Sequence, residues 1–161
     1  MFSRYPEIPV KRVNPDAPMP AYAHDGDAGL DLCAMEDVTL KPGEWAKIGS
    51  GIAMAIPRGY VGYVHPRSGL GCKGLVLKNG TGVIDSTYRG EIGLTLFNNN
   101  PIYRTYHDAE NTITIHKGDR VAQLVIEPCC EATLTEVDEL DGSERGTGGF
   151  GSTGISGGPR P

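Results

Sequence analysis

Glycine and proline punctuate this chain from end to end, and no other feature limits its folding so tightly. Its 161 residues hold 23 glycines and 12 prolines, spread along the chain rather than gathered in one segment. Both residues interrupt long helices, glycine through backbone entropy and proline through its missing N–H and fixed φ. Many short strands joined by turns fit such punctuation. Alternation of apolar and polar residues supports strands at 53–56, 60–64, 91–97, 112–115, 120–126 and 132–137. Turn signals separate them: Lys41-Pro42-Gly43, Pro57-Arg58-Gly59, Asn98-Asn99-Asn100-Pro101 and Lys117-Gly118-Asp119. Short strands at regular spacing predict an all-β sandwich or jelly roll. One short helix has room just after Ser68, near residues 70–73.

A chain of this length with 39% hydrophobic residues suits one domain around one core. We expect that domain over residues 1–141 and a flexible tail over 142–161, where the chain becomes Gly/Ser-rich and nearly loses large apolar side chains. Arg145 and Phe150 stand out in the tail, as if placed to touch something. Residues 98–111 form a long polar connection that includes Pro101, Tyr103, Arg104, Tyr106, His107 and Asp108. The formal net charge of −5 argues against binding nucleic acid through a general basic field. A few local arginines could still hold a small polyanion. The opening Met1-Phe2-Ser3-Arg4-Tyr5-Pro6 lacks the apolar stretch of a secretory signal, and no run reaches membrane-spanning length. A soluble, cytoplasmic protein without a membrane partner is expected. Cys33, Cys72, Cys129 and Cys130 show no C-x-x-C spacing, and the adjacent pair frames neither an ordinary disulfide nor a zinc site. Reduced thiols are expected.

Five segments carry groups suited to chemistry. Ala28-Gly29-Leu30-Asp31-Leu32 is a glycine turn into a strand with one carboxylate. Pro66-Arg67-Ser68-Gly69-Leu70 sets a guanidinium and a hydroxyl where a helical turn begins, a good grip for phosphate. Gly82-Val83-Ile84-Asp85-Ser86-Thr87-Tyr88-Arg89-Gly90 reads as a tight hairpin presenting an acid and an aromatic. Gly118-Asp119-Arg120-Val121-Ala122-Gln123-Leu124 is a turn and strand with one inward polar residue. Arg145-Gly146-Thr147-Gly148-Gly149-Phe150-Gly151-Ser152-Thr153-Gly154 is flexible, cationic and rich in hydroxyls.

In this order, the five segments resemble the signature motifs of the trimeric dUTP diphosphatases, the dUTPases, from about Ala28 to Gly154. The resemblance implies a jelly-roll protomer in a homotrimer, with active sites between subunits and the tail closing over each. It implies that Asp85 orients and deprotonates the attacking water, while Tyr88 lies against the deoxyribose and excludes a 2′-hydroxyl. Asn79 and the backbone of the 82–93 hairpin, Val83 and Ile84 included, would read uracil. Arg67, Ser68, Gly69 and Gln123 would hold phosphates, and Asp31 would support the polar network beside them. Arg145, Gly151, Ser152 and Thr153 would clasp the phosphate chain, with Phe150 stacked over the base. Mg²⁺ in this family is held by the triphosphate and waters rather than by a protein cage, in keeping with the ion's habits.

The chemistry needs such parts. Attack of water at the α-phosphorus of dUTP, releasing pyrophosphate and dUMP, calls for a base, neutralised phosphates and alignment. A dUTPase of this kind lowers dUTP, supplies dUMP for thymidylate synthesis and limits uracil entry into DNA. Structural roles stay open for each residue: Asp85 as a turn cap, Tyr88 as a core aromatic, Ser68 as a helix cap, Asp31 or Gln123 as structural hydrogen-bonders. Asp119 and Arg120 read as a turn and strand start rather than as catalytic groups. Two departures from the family pattern touch no signature residue: the 69–79 segment looks about one residue short, and the 98–111 connection looks long. Residues 155–161 have no assigned role. A dCTP deaminase would share the fold, but it typically carries I-x-L-E after the hairpin where this chain reads Ile92-Gly93-Leu94-Thr95. Its arginine motif usually continues Ser-Ser, whereas here it reads Arg67-Ser68-Gly69. A binding module that has lost turnover is the other alternative, and the intact Asp85 and tail argue against it.

Overall fold

Burial alternates residue by residue along the strand Glu91–Asn98: Ile92, Leu94, Leu96 and Asn98 are buried and their neighbours are not. The computed structural model, which describes residues 5–102 and 110–149, repeats this device throughout. The described residues form β1 (Val10–Arg12), β2 (Gly29–Cys33), β3 (Val38–Leu40), β4 (Trp45–Met54) and β5 (Tyr60–Pro66). The helical turn α1 (Ser68–Gly71) follows, then β6 (Leu75–Leu77), β7 (Gly82–Ile84), β8 (Glu91–Asn98), β9 (Ile113–Ile115) and β10 (Arg120–Pro128).

Two four-stranded sheets, ordered β1-β4-β8-β6 and β2-β10-β5-β7, and a two-stranded β3-β9 ribbon make a jelly-roll-like all-β fold. Every recorded pairing is antiparallel. One buried cluster draws on both larger sheets, with Ile48, Ile52, Leu75, Leu94 and Leu96 from the first and Leu32, Val64, Ile84, Ala122 and Leu124 from the second. Each sheet therefore turns one face to the core and keeps the other for solvent or partners. Among the described residues no helix is long and apolar enough to cross a membrane.

Strand β4 begins eight residues before the alternation at 53–56 suggests. The Gly49-Ser50-Gly51 run hides it by resembling a turn, although its glycines serve the sheet. The register between β4 and β8 shifts between Gly49 and Ala53. Gly51 sits at that irregularity with φ +71°, a left-handed conformation that glycine adopts without steric cost. Its N–H donates to Glu91 Oε1 at 2.7 Å. The strands β1, β3 and β6 have three residues each, too few to display a period.

Residues 132–137, expected as a strand, are not one. The chain divides into two units, Met1–Glu131 and Ala132–Pro161, and all described strands lie in the first. Within the second, Leu134 and Val137 are exposed and residues 132–137 join no ladder among the described residues. An alternating pattern becomes a strand only where a neighbour takes its N–H and C=O groups. Tyr103, Arg104, Tyr106, His107 and Asp108 of the long connection, and everything from Phe150 onward, lie outside the described residues.

Asn98 is fully buried and ties the long connection to the core. Its Nδ2 donates to Leu40 O at 2.9 Å and to Asn111 O at 2.8 Å, and its Oδ1 accepts from Asn100 N at 3.0 Å. Asn98→Ala removes all three bonds, and a buried partner left unsatisfied costs about 1–3 kcal/mol. The expected result is a clear fall in the urea-unfolding midpoint; an unchanged midpoint would show that the clamp is dispensable.

Candidate active site

The sheet register gathers the first group of expected residues. Gln123 on β10 stands opposite both Asp31 on β2 and His65 on β5. Residues directly opposite in antiparallel strands point to the same face, so these three side chains form a row. Their neighbours Leu30, Leu32, Val64, Ala122 and Leu124 turn the other way, into the core or against it. Asp31 is well covered, with 14% of its side chain exposed. Both of its oxygens are engaged: Oδ1 lies 2.9 Å from Arg67 Nε, and Oδ2 accepts from Arg120 Nη1 at 3.0 Å. Arg67 Nη1 also donates to Arg120 O at 3.2 Å. One carboxylate thus fixes two guanidiniums.

Arg67 precedes α1, whose N-terminal cap has no side-chain hydrogen bond. Ser68 is exposed and is the first helical residue, one position past the N-cap, which Arg67 occupies. The first amides of any helical turn lack intrahelical partners and face outward. Asp31, Arg67, Ser68, Gly69 and Gln123 all line one pocket of about 470 Å³, joined by Lys73. Gln123 Nε2 donates to Pro66 O at 3.0 Å, which fixes the amide with its oxygen toward Gly29. A methyl group at Gly29 would meet Gln123 Oε1 at 2.7 Å. Glycine there is a matter of space.

The second group sits on the hairpin. Strand β7 pairs with β5 through Val83 opposite Tyr63. Val83 is exposed, whereas Ile84 is buried and can offer a ligand only its backbone. Asp85 is exposed, and its carboxylate makes no hydrogen bond or ion pair with the described residues. Its carbonyl accepts from Tyr88 N at 3.0 Å, closing the turn. Tyr88 is 43% exposed, so it is no core aromatic, and its hydroxyl donates to Glu91 O at 2.8 Å. Arg89 braces the turn by donating from Nη1 to Ser86 O and to Tyr88 O, each at 2.7 Å. Asn79 is exposed, with one long contact of 3.5 Å from Nδ2 to Thr81 O.

The two groups do not meet within one chain. Asp85 and Val83 line a separate pocket of about 340 Å³, which shares no residue with the pocket holding Arg67 and Gln123.

A dUTPase family model matches residues 15–154. The chain belongs to the dUTPase family. A deoxyuridine 5′-triphosphate nucleotidohydrolase of Thermobifida fusca is 49% identical over 148 residues, covering 91% of this chain and 78% of that protein. One from Rhodococcus erythropolis is 46% identical over 154 residues, covering 95% and 89%. Among solved structures, a dUTPase of Staphylococcus bacteriophage 80alpha with dUpNHpp aligns at TM-score 0.84 and 37% identity, over 92% of this chain and 99% of that one. A dUTPase variant from phage phi11 of S. aureus, described with a structural Mg(II) ion, aligns at TM-score 0.76 and 34% identity, over 85% and 100%.

Two residues near the pocket of Arg67 and Gln123 were not expected there. Arg120, read from sequence as a strand start, is the second partner of Asp31. Lys73 borders the pocket from beyond α1. The only sequence signal for Arg120 was its place three residues before Gln123, and a strand pattern alone does not show which acid it faces. Cys33 lies close to the same charges, and burial, with Asp31 next in effect, pushes its thiol pKa up. In the second unit, Arg145 is exposed and its Nε donates to Gly148 O at 2.8 Å. Phe150, Gly151, Ser152 and Thr153 lie outside the described residues.

Gly29→Ala should displace the Gln123 amide while leaving the sheet intact. Calorimetric titration with pyrophosphate is expected to show several-fold weaker binding at an unchanged unfolding midpoint. Unaltered binding would exclude Gln123 as a phosphate contact.

Proposed function

We propose that this protein is a dUTP diphosphatase that hydrolyses dUTP to dUMP and pyrophosphate by attack of water at the α-phosphorus. The observation that carries the reading is the family match over residues 15–154, which spans Asp31, Arg67, Asp85, Gln123 and Arg145 together. Such an enzyme keeps dUTP low, limits uracil entry into DNA and provides dUMP for thymidylate synthesis. Cytoplasmic action follows from that role. A deaminase would need an acid where Thr95 stands opposite Lys47.

Asp85 serves as general base. An exposed carboxylate with no partner among the described residues can accept a proton from water without first breaking an ion pair. Arg67, the Ser68 hydroxyl, the Gly69 amide and Gln123 hold the phosphates, and Asp31 keeps Arg67 aimed at them. Asn79 and the backbone at Val83 and Ile84 read the uracil edge. A base lacking the matching donors and acceptors leaves those groups unpaired, and discrimination follows. Tyr88 packs on the deoxyribose and leaves no room for a 2′-hydroxyl.

The donor set fits Mg²⁺ as a companion of the substrate. Both Asp31 oxygens are taken by arginines, so this carboxylate serves the pocket's cations. When bound, the ion would neutralise charge on the phosphates while keeping some of its own waters. Asp31, Arg67 and Gln123 stand where they can orient that assembly.

A homotrimer with sites between subunits explains why Asp85 and Arg67 line different pockets of one chain. The tail, residues 142–161, acts as the lid. Arg145, Gly151, Ser152 and Thr153 reach the phosphates and Phe150 covers the base. Closure costs about 1–2 kcal/mol per ordered residue and needs the whole nucleotide to offset it.

Asp85→Asn keeps the shape of the side chain and removes the proton acceptor. Its kcat should fall by about 10²–10⁴-fold with little change in dUpNHpp affinity. Near-normal turnover would exclude Asp85 as the base. Mixing inactive Asp85→Asn with inactive Arg145→Ala protein under subunit exchange should restore part of the activity, because one mixed site can be built from undamaged parts. No recovery despite demonstrated exchange would exclude shared sites.

A further inference from the structure

Just beyond the end of β10 at Pro128 comes an adjacent pair of exposed thiols, Cys129 and Cys130, beside the pocket that holds Asp85. Within a ladder, neighbouring side chains point to opposite faces and cannot grip one centre. Here the ladder has stopped: its last register pair is Pro128 opposite Tyr60, and both cysteines lie beyond it. Anchors hold the segment on either side of the pair. Cys129 N donates to Gly59 O at 2.8 Å, while Glu131 takes a two-pronged ion pair from Arg58, with Nε to Oε1 at 2.7 Å. Cys129 Sγ turns along the chain toward its neighbour, 3.9 Å from the Cys130 carbonyl oxygen. Cys129 and Glu131 line the 340 Å³ pocket together with Val83, Asp85, Ser86 and Thr87. The remaining cysteines lack these features: Cys33 is half-buried with its thiol pKa raised by burial, and Cys72 is exposed without an adjacent thiol.

We propose that Cys129 and Cys130 form a bidentate site for a thiol-seeking trivalent arsenical, and that its occupation closes the pocket on Asp85. The exchange balances without an oxidant: an organoarsenic oxide, R–As=O, and two thiols give R–As(S)₂ and one water. Two As–S bonds replace As=O, and both thiol protons leave in that water. Once one sulfur is bound, the second reacts intramolecularly at high effective concentration, so a monothiol in solution competes poorly while a small dithiol competes well. The 340 Å³ pocket offers the organic substituent room beside Asp85.

The adduct itself does not depend on the proposed role of Asp85, whereas its effect on turnover does. Full-length protein treated with phenylarsine oxide should gain one phenylarsenic group per chain by intact mass. The group should survive excess 2-mercaptoethanol and be stripped by 2,3-dimercaptopropanol. Cys129→Ser and Cys130→Ser should each lose the monothiol-resistant adduct, and Cys33→Ser and Cys72→Ser should keep it. Hydrolysis of dUTP should fall in proportion to the fraction of chains modified and return with the dithiol. An adduct that persists in both serine variants, or that 2-mercaptoethanol removes, overturns the site. Full turnover by the modified protein overturns closure of the pocket. If untreated protein fails to hydrolyse dUTP, the proposed function falls, and the mass and competition readouts still decide whether the dithiol site exists.

Discussion

Asp31 is the constraint on which the pocket of Arg67 and Gln123 depends. A carboxylate so well covered is tolerable only when its charge is met, and Arg67 and Arg120 meet one oxygen each. Removing one partner from a fully buried pair costs roughly 3–5 kcal/mol, and less where solvent reaches the arginine, as it does at the half-exposed Arg120. The arrangement therefore contributes more to position than to stability. It holds the end of β5, the start of α1 and the start of β10 in one geometry before any ligand arrives. A site that must neutralise several phosphate charges gains by having its cations ordered in advance.

Strand β10 makes that geometry possible, because it alone pairs with both β2 and β5. Its register aligns Asp31, Gln123 and His65, while its alternate residues fill the core. A slip of one residue would exchange the two sets and bury the polar row. The bulge between Arg120 and Ala122 adjusts this phase locally, and two successive residues, Val121 and Ala122, are buried there. The same sheet keeps the hairpin away from the arginines, since β7 lies on the far side of β5 from β10. A protomer built this way carries two separate pockets, which the proposed assembly would join.

Much of this was legible in residue order. The strands at 60–64, 91–97 and 120–126 announce themselves by alternation, and their cores are the expected apolar residues. The helical turn after Arg67 falls where a hydroxyl and glycines follow proline and arginine. Less legible were strands whose glycines serve sheet geometry, as in β4, and those of three residues. The alternation at 132–137 misled because periodicity describes one strand and pairing requires two.

The sequence by itself determined the fold class, the family and the chemical types available, since turn residues, alternation and ordered motifs are properties of the chain alone. Only tertiary structure decided that Arg120 shares Asp31 with Arg67, that Gly29 makes room for Gln123, and that Asp85 and Arg67 open into different pockets. Those facts depend on which strand lies beside which and in what register. Pairing between positions as distant as Asp31 and Gln123 is set by the summed burial of two sheets. No local pattern encodes it.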